Sequence, residues 1–107
     1  MKSFQSCADR LKALADPDRL QIVLCLFEGE QNVGQITENV GGTIVKVSHH
    51  LGILRHADIV STQRQGRYIN YRLNPDVLLQ SDKDGSSRSI EFGCCRVDLA
   101  SHVEAAE

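Results

Sequence analysis

No stretch of this sequence approaches the ~20 apolar residues needed to cross a bilayer, and its opening, Met1-Lys2-Ser3-Phe4, carries no hydrophobic signal segment. The chain is therefore expected to stay in the cytosol. It contains no Cys-x-x-Cys pair, no glycine-rich phosphate loop and no Ser/His/acid set suited to nucleophilic catalysis, so it is not expected to be an enzyme. At 107 residues it is also too short for two ordinary domains, and its 41% apolar content suffices for one modest core. The four cysteines, Cys7, Cys25, Cys94 and Cys95, lie in a chain expected to be kept reducing. They read as core atoms, metal ligands or redox groups before structural disulfides.

The net charge of −2 disguises a division. Between Thr43 and Arg72 stand Lys46, Arg55, Arg64, Arg67 and Arg72 against Asp58 alone, a local charge of +4 on a chain whose remainder carries −6. A positive segment on an acidic body is the electrostatic footprint of a polyanion site, the acidic remainder limiting indiscriminate adhesion. A merely solvated charged hairpin would show the same count.

Apolar periodicity places the elements. Phe4, Cys7, Ala8, Leu11 and Leu14 fall on one face of a helix ending near Ala15. Asp16-Pro17-Asp18 starts a second helix reaching about Phe27, with Leu20, Val23, Leu24 and Phe27 as its core side and Glu28-Gly29-Glu30 as its stop. Asn32 and Gln35 can form a capping box for a short helix through Val40, and Gly41-Gly42 ends it. Thr43 caps the next helix, in which Ile44, Val47, Leu51 and Leu54 face inward while Val45, Lys46, His49, Gly52 and His56 point away. Asp58 occupies a left-handed stop position. From Ile59 to Leu73 the period changes to two about a turn at Gln65-Gly66. Asn74-Pro75-Asp76 begins a last short helix to about Leu79, residues from Ser81 to Ser89 read as a polar loop, Ile90 to Leu99 as a strand with a bulge at Gly93-Cys94, and the end from Ser101 as frayed. The fold expected is mainly α with a β-hairpin wing (α+β), a winged helix-turn-helix over 1–80, with 81–107 a loop and terminal segment of the same domain.

Five segments, in order, resemble the ArsR/SmtB family of bacterial metal-responsive repressors: Leu11-Lys12-Ala13-Leu14-Ala15-Asp16-Pro17 with Arg19-Leu20; Gly29-Glu30 with Val33-Gly34; Val47-Ser48-His49-His50-Leu51; Leu54-Arg55; and Gly66-Arg67 with Tyr71-Arg72-Leu73. The resemblance implies a homodimer built on the terminal helices, operator binding that represses transcription, and release by an inducer. It also sets limits. Gln35-Ile36-Thr37-Glu38-Asn39 lacks the cysteine pair of arsenic- and cadmium-sensing relatives, and the last helix is too short for the acidic and histidine ligands of zinc sensors. Cys25 falls one residue out of register with the second-helix cysteine of redox-sensing relatives.

Lys46, Ser48 and His49 are placed to reach base edges in the major groove, with Thr43 and His56 as phosphate contacts. Arg64, Gln65 and Arg67 flank the wing tip, within reach of phosphates or a narrow minor groove. His50 reads as a packed histidine before a base contact, and Tyr68 and Tyr71 as packing residues. One such helix covers few base pairs, so two copies on an inverted repeat of double-stranded DNA are expected, paired through Phe4, Leu11, Val77, Leu78 and the terminal strand. No cofactor is required. Cys94 and Cys95, with Cys7 as a third sulfur, are candidate ligands for arsenite or another soft metal ion, or candidate redox groups, and Arg96 would favour their thiolates. A thiol metal-binding or redox protein, and a winged helix used only for protein contacts, are the competing functions.

Overall fold

A computed structural model describes residues 3–78 and 88–99. Four helices, α1 (Phe4–Leu14), α2 (Pro17–Leu26), α3 (Val33–Val40) and α4 (Ile44–His56), alternate with short connections, and a two-residue β1 (Gln31–Asn32) precedes α3. After α4 come β2 (Val60–Gln65) and β3 (Tyr68–Leu73), a 3-10 turn at Pro75–Val77, and the pair β4 (Ser89–Glu91) and β5 (Arg96–Asp98).

The helix starts follow their capping chemistry. Asp16 accepts the amides of Asp18 (2.8 Å) and Arg19 (3.2 Å), and Pro17 sits where no amide is missed. Asn32 accepts from the Gln35 amide while the Gln35 side chain accepts from the Asn32 amide, both at 2.9 Å, closing the capping box that opens α3. Thr43 caps α4 through the Lys46 amide. Gly41 and Gly42 turn the chain between α3 and α4 with φ of 88° and 91°, and Asp58 adopts the left-handed conformation with φ of 61°.

α2, α3 and α4 close around Ile22, Val23, Leu26, Ile36, Val47, Leu51 and Leu54, and β2 and β3 add Val60 and Leu73. The three-stranded antiparallel sheet runs β1-β3-β2, so Gln31–Asn32 covers one edge of the wing. Leu78 bridges Ile90, and Ile90 and Phe92 are fully buried in the same core, which seats the terminal hairpin beneath α1. Arg10 lies 5.6 Å from the Phe92 ring centroid and pairs with Asp58 at 4.0 Å, tying that seat to the end of α4.

Several expectations need correction. The core side of α2 is Ile22, Val23 and Leu26, whereas Leu20 is exposed and Leu24 and Phe27 are half-buried: α3 and α4 both pack on the 22/26 side and rotate the inward stripe away from Leu20. Ile44 is 54% exposed, because the first turn of α4 projects past the Gly41-Gly42 bend. The hairpin turn is Gly66-Arg67, since Gln65 still pairs with Tyr68, and Gly66 supplies the positive φ of 64° at the first central position. β1 was not anticipated. The segment after Asn74 makes one 3-10 turn, after which Leu78 turns extended to meet Ile90, and residues 79–80 lie outside the described residues. Ser89 is buried at the start of β4 and does not belong to a loop. The interruption at Gly93-Cys94 is a chain reversal between β4 and β5 (Phe92 amide to Cys95 carbonyl, 2.9 Å), which a bulge in one strand would not make. Most of the polar stretch, 81–87, and the end from 100 onwards lie outside the described residues.

Candidate nucleic-acid interface and thiol cluster

The bend at Gly41-Gly42 sets α4 across α3 and leaves its outer side uncovered. Lys46, Ser48, His49 and His56 are all exposed there, and Thr43 stands at the start with its hydroxyl oxygen accepting the Lys46 amide at 3.2 Å. Arg64, Gln65 and Arg67 are exposed around the turn of the β2–β3 wing, with the Gln65 side-chain Oε1 accepting from the Asn70 side-chain amide at 2.7 Å. The eight residues thus divide between two neighbouring elements that both face outward. Tyr71 packs against the core and Tyr68 is exposed.

The ion pairs separate the cations by role. Arg72 reaches Glu30 at 3.7 Å, Arg88 reaches Glu28 at 3.1 Å and Arg96 reaches Asp98 at 3.6 Å. Lys46, Arg55, Arg64 and Arg67 form no ion pair among the described residues, so the charge of α4 and the wing stays available to a polyanion.

His50 faces the other way. It is 8% exposed, and its Nδ1 lies 3.1 Å from an Arg19 guanidinium nitrogen. A guanidinium only donates, so Nδ1 must accept and Nε2 must carry the ring proton. Nε2 is buried without a hydrogen bond, 3.6 Å from Asp18 Oδ2. Asp16, Asp18 and His50 gather ligand-type atoms within 4.8 Å of one another, but the proton on Nε2 blocks the ring atom nearest the carboxylates from metal coordination. The cluster instead pins α4 to the start of α2. Partial burial pushes the Asp16 carboxyl up, and the amides of Arg19 and Asp18, with the charge of Arg19, outweigh this and hold it below the ordinary carboxylate range. Sequence reasoning missed this cluster; Asp16 was visible as a cap, but the approach of Arg19 to His50 spans 31 positions.

The sulfurs of Cys7, Cys94 and Cys95 also lie within 4.8 Å of one another. Cys7 comes from the buried side of α1, and the β4–β5 reversal carries Cys94 and Cys95 to it. Cys7 and Cys94 are joined as a disulfide with Cα atoms 6.5 Å apart, while Cys95 is a free, half-buried thiol. A disulfide was the last expectation for these residues; packing of Phe92 beneath α1 is what brings positions 87 apart into bonding range. Arg96, next to Cys95, pairs with Asp98 at 3.6 Å. Cys25 donates to the Gln31 side chain at 3.3 Å and does not join the cluster. Val77, expected at a dimer interface, is buried in the core, whereas Phe4 (84% exposed) and Leu11 remain on the surface. Once reduced, three sulfurs this close suit a soft, three-coordinate ion.

Residues 16–62 match the family described as bacterial regulatory protein, arsR family. The chain is 40% identical over 70 residues to the transcriptional repressor SdpR of Bacillus subtilis, covering 65% of this chain and 78% of that protein. It is 39% identical over 76 residues to the arsenical resistance operon repressor of Escherichia coli, covering 70% of this chain and 65% of that one. The solution structure of a homodimeric winged helix-turn-helix DNA-binding domain from Mycobacterium bovis, a possible ArsR-family regulator, superposes with a TM-score of 0.65 at 32% identity over 68% of each chain. With the exposed cationic helix, the wing and these relatives in agreement, the chain is a winged helix-turn-helix, DNA-binding transcriptional regulator and belongs to the arsR family of bacterial regulatory proteins.

Proposed function

We propose that the chain acts in the cytoplasm as a homodimeric repressor that grips an inverted-repeat operator and lets go when a thiol-directed inducer engages Cys7, Cys94 and Cys95. The observation that carries the reading is the meeting of three sulfurs from opposite ends of the sequence on a body whose α4 and wing present exposed cations with no ion pair among the described residues. Lys46, Ser48 and His49 supply donors for base edges and phosphates, Thr43 and His56 flank them, and Arg64, Gln65 and Arg67 follow the adjacent backbone. Pairing through α1 presents two such units to successive grooves, with half-sites about 10 base pairs apart or a multiple of that. The M. bovis neighbour is a homodimer, and the E. coli relative is named for an arsenical resistance operon, which supports both halves of the reading.

The inducer is arsenite or another soft metal ion taken by the reduced thiolates, or an oxidant that joins Cys7 to Cys94. In the latter case two thiols yield two electrons to a peroxide, which leaves as water. Either event acts on α1, through Cys7, and so on the spacing of the two reading helices.

The test is a mobility shift on the gene's own upstream DNA with fully reduced protein, with and without arsenite, zinc or peroxide, for wild type and the Cys94→Ser, Cys95→Ser double variant. Release of wild type and retention of the variant is the expected result. Identical behaviour of the two removes the thiols from the mechanism, and no preference for upstream over random DNA removes the repressor reading.

A further inference from the structure

The outer side of α4 carries a feature that hydrogen-bonding chemistry leaves unused. Val45, at the second position of the helix, is 80% exposed, and no described residue covers it. Steps of four, three and four along the helix put Val45, His49, Gly52 and His56 on one stripe, and all four are exposed. An aliphatic side chain here neither bonds a phosphate nor donates to a base edge.

Gly52 supplies an independent observation. A glycine within a helix lowers its stability relative to alanine, yet a Cβ built at Gly52 meets no heavy atom within 4 Å. No described residue requires the missing side chain. On the stripe that the proposed function turns to DNA, a missing side chain leaves room for the duplex to come close.

From these two positions we infer that Val45 is a specificity-determining residue that selects a thymine by packing on its 5-methyl group, while Gly52 admits the DNA strand against the middle of α4. The thymine methyl is the apolar feature of the major groove, and the N-terminal residues of a reading helix are the ones that reach base edges. Lys46 and His49 then supply polar contacts on either side. The inference rests on the DNA-reading function proposed above and adds the base it selects.

The experiment begins with wild-type protein and a randomised duplex pool, from which the tightest-binding sequence is taken as the probe. Each thymine of its half-sites is replaced by uracil, which removes only the methyl group. One position should cost wild type about fourfold in affinity per half-site, the worth of one buried carbon, and about 15-fold when both half-sites are changed. The Val45→Ala variant should bind thymine and uracil probes alike. Gly52→Ala should raise the melting temperature by about 4 °C while weakening binding. If no duplex is enriched, the DNA-reading function falls and the inference falls with it. If a duplex is enriched but no uracil costs wild type affinity, or Val45→Ala keeps the full loss, the methyl contact is overturned while the repressor reading stands. A Gly52→Ala protein that binds as well as wild type overturns the close approach at Gly52.

Discussion

Asp16 does two jobs with one carboxylate. It caps α2 through two amides and lies beside the Arg19 guanidinium that holds His50, so its charged form is favoured in the folded state. A carboxyl held below its unfolded value of about 3.9 contributes stability that is present above that pH and is lost as pH falls through the lower folded value. Stability measured by urea unfolding should therefore decline below about pH 4, and Asp16→Asn should flatten that decline while lowering stability at neutral pH. An unchanged pH profile in Asp16→Asn would place the linkage elsewhere. At this scale the sequence was partly legible. The caps could be read because their partners lie within three positions; the Arg19–His50 tie could not, because it depends on how α2 and α4 cross. His50 was nevertheless correctly read as a packed histidine.

The wing is where electrostatics and geometry coincide. Gly66-Arg67 makes the turn, so Arg67 stands at the tip itself and Arg64 on the approaching strand, opposite Ile69. Both contacts, if made to phosphates, act through counterion release. Removing either arginine from both protomers should reduce the slope of log affinity against log salt by about 2, with little change in which sequence is preferred. An unaltered slope in Arg64→Ala and in Arg67→Ala, measured by fluorescence anisotropy from low to moderate salt, would take the wing off the DNA. The hairpin was legible in the β-branched and aromatic run from Ile59 to Leu73 on either side of a glycine turn, although burial along both strands grades from the core end to the exposed tip and does not alternate. Its turn was misplaced by one residue because Gln65 is as acceptable in a turn as in a strand, and only the pairing with Tyr68 decides. β1 escaped notice because two residues are too few to show any period. The β4–β5 reversal was mistaken for a bulge because Gly93, with φ of 93°, disturbs alternation in the same way in either case.

For the whole molecule, the proposed function assigns orientation on DNA to the division of charge and assembly to the exposed apolar residues of α1. Phe4 and Leu11 remain uncovered on α1, and burying a phenylalanine contributes about 1.5–3 kcal/mol. Phe4→Asp should raise the dimer dissociation constant at least tenfold, about 1.4 kcal/mol, and should make operator binding steeply concentration-dependent. Sedimentation equilibrium measures the first effect, and a wild-type dissociation constant in the variant would move the interface off α1. The fold class was readable in advance because helix caps, glycine bends and a change of period occur in the right order. The thiol cluster was readable only as a list of sulfurs, since Cys7 and Cys94 are 87 positions apart and meet only because Phe92 buries itself under α1.

Cys7 lies one helical turn from Phe4 and one from Leu11, so the proposed function puts the chemical sensor and the surface through which two copies recognise each other on a single short segment. Genetics should feel this crowding. Among random mutants, those blind to the inducer and those that never silence their target should map to neighbouring codons near the start of the reading frame, and this segment should tolerate replacement less well than the others, since any drift in it is judged twice.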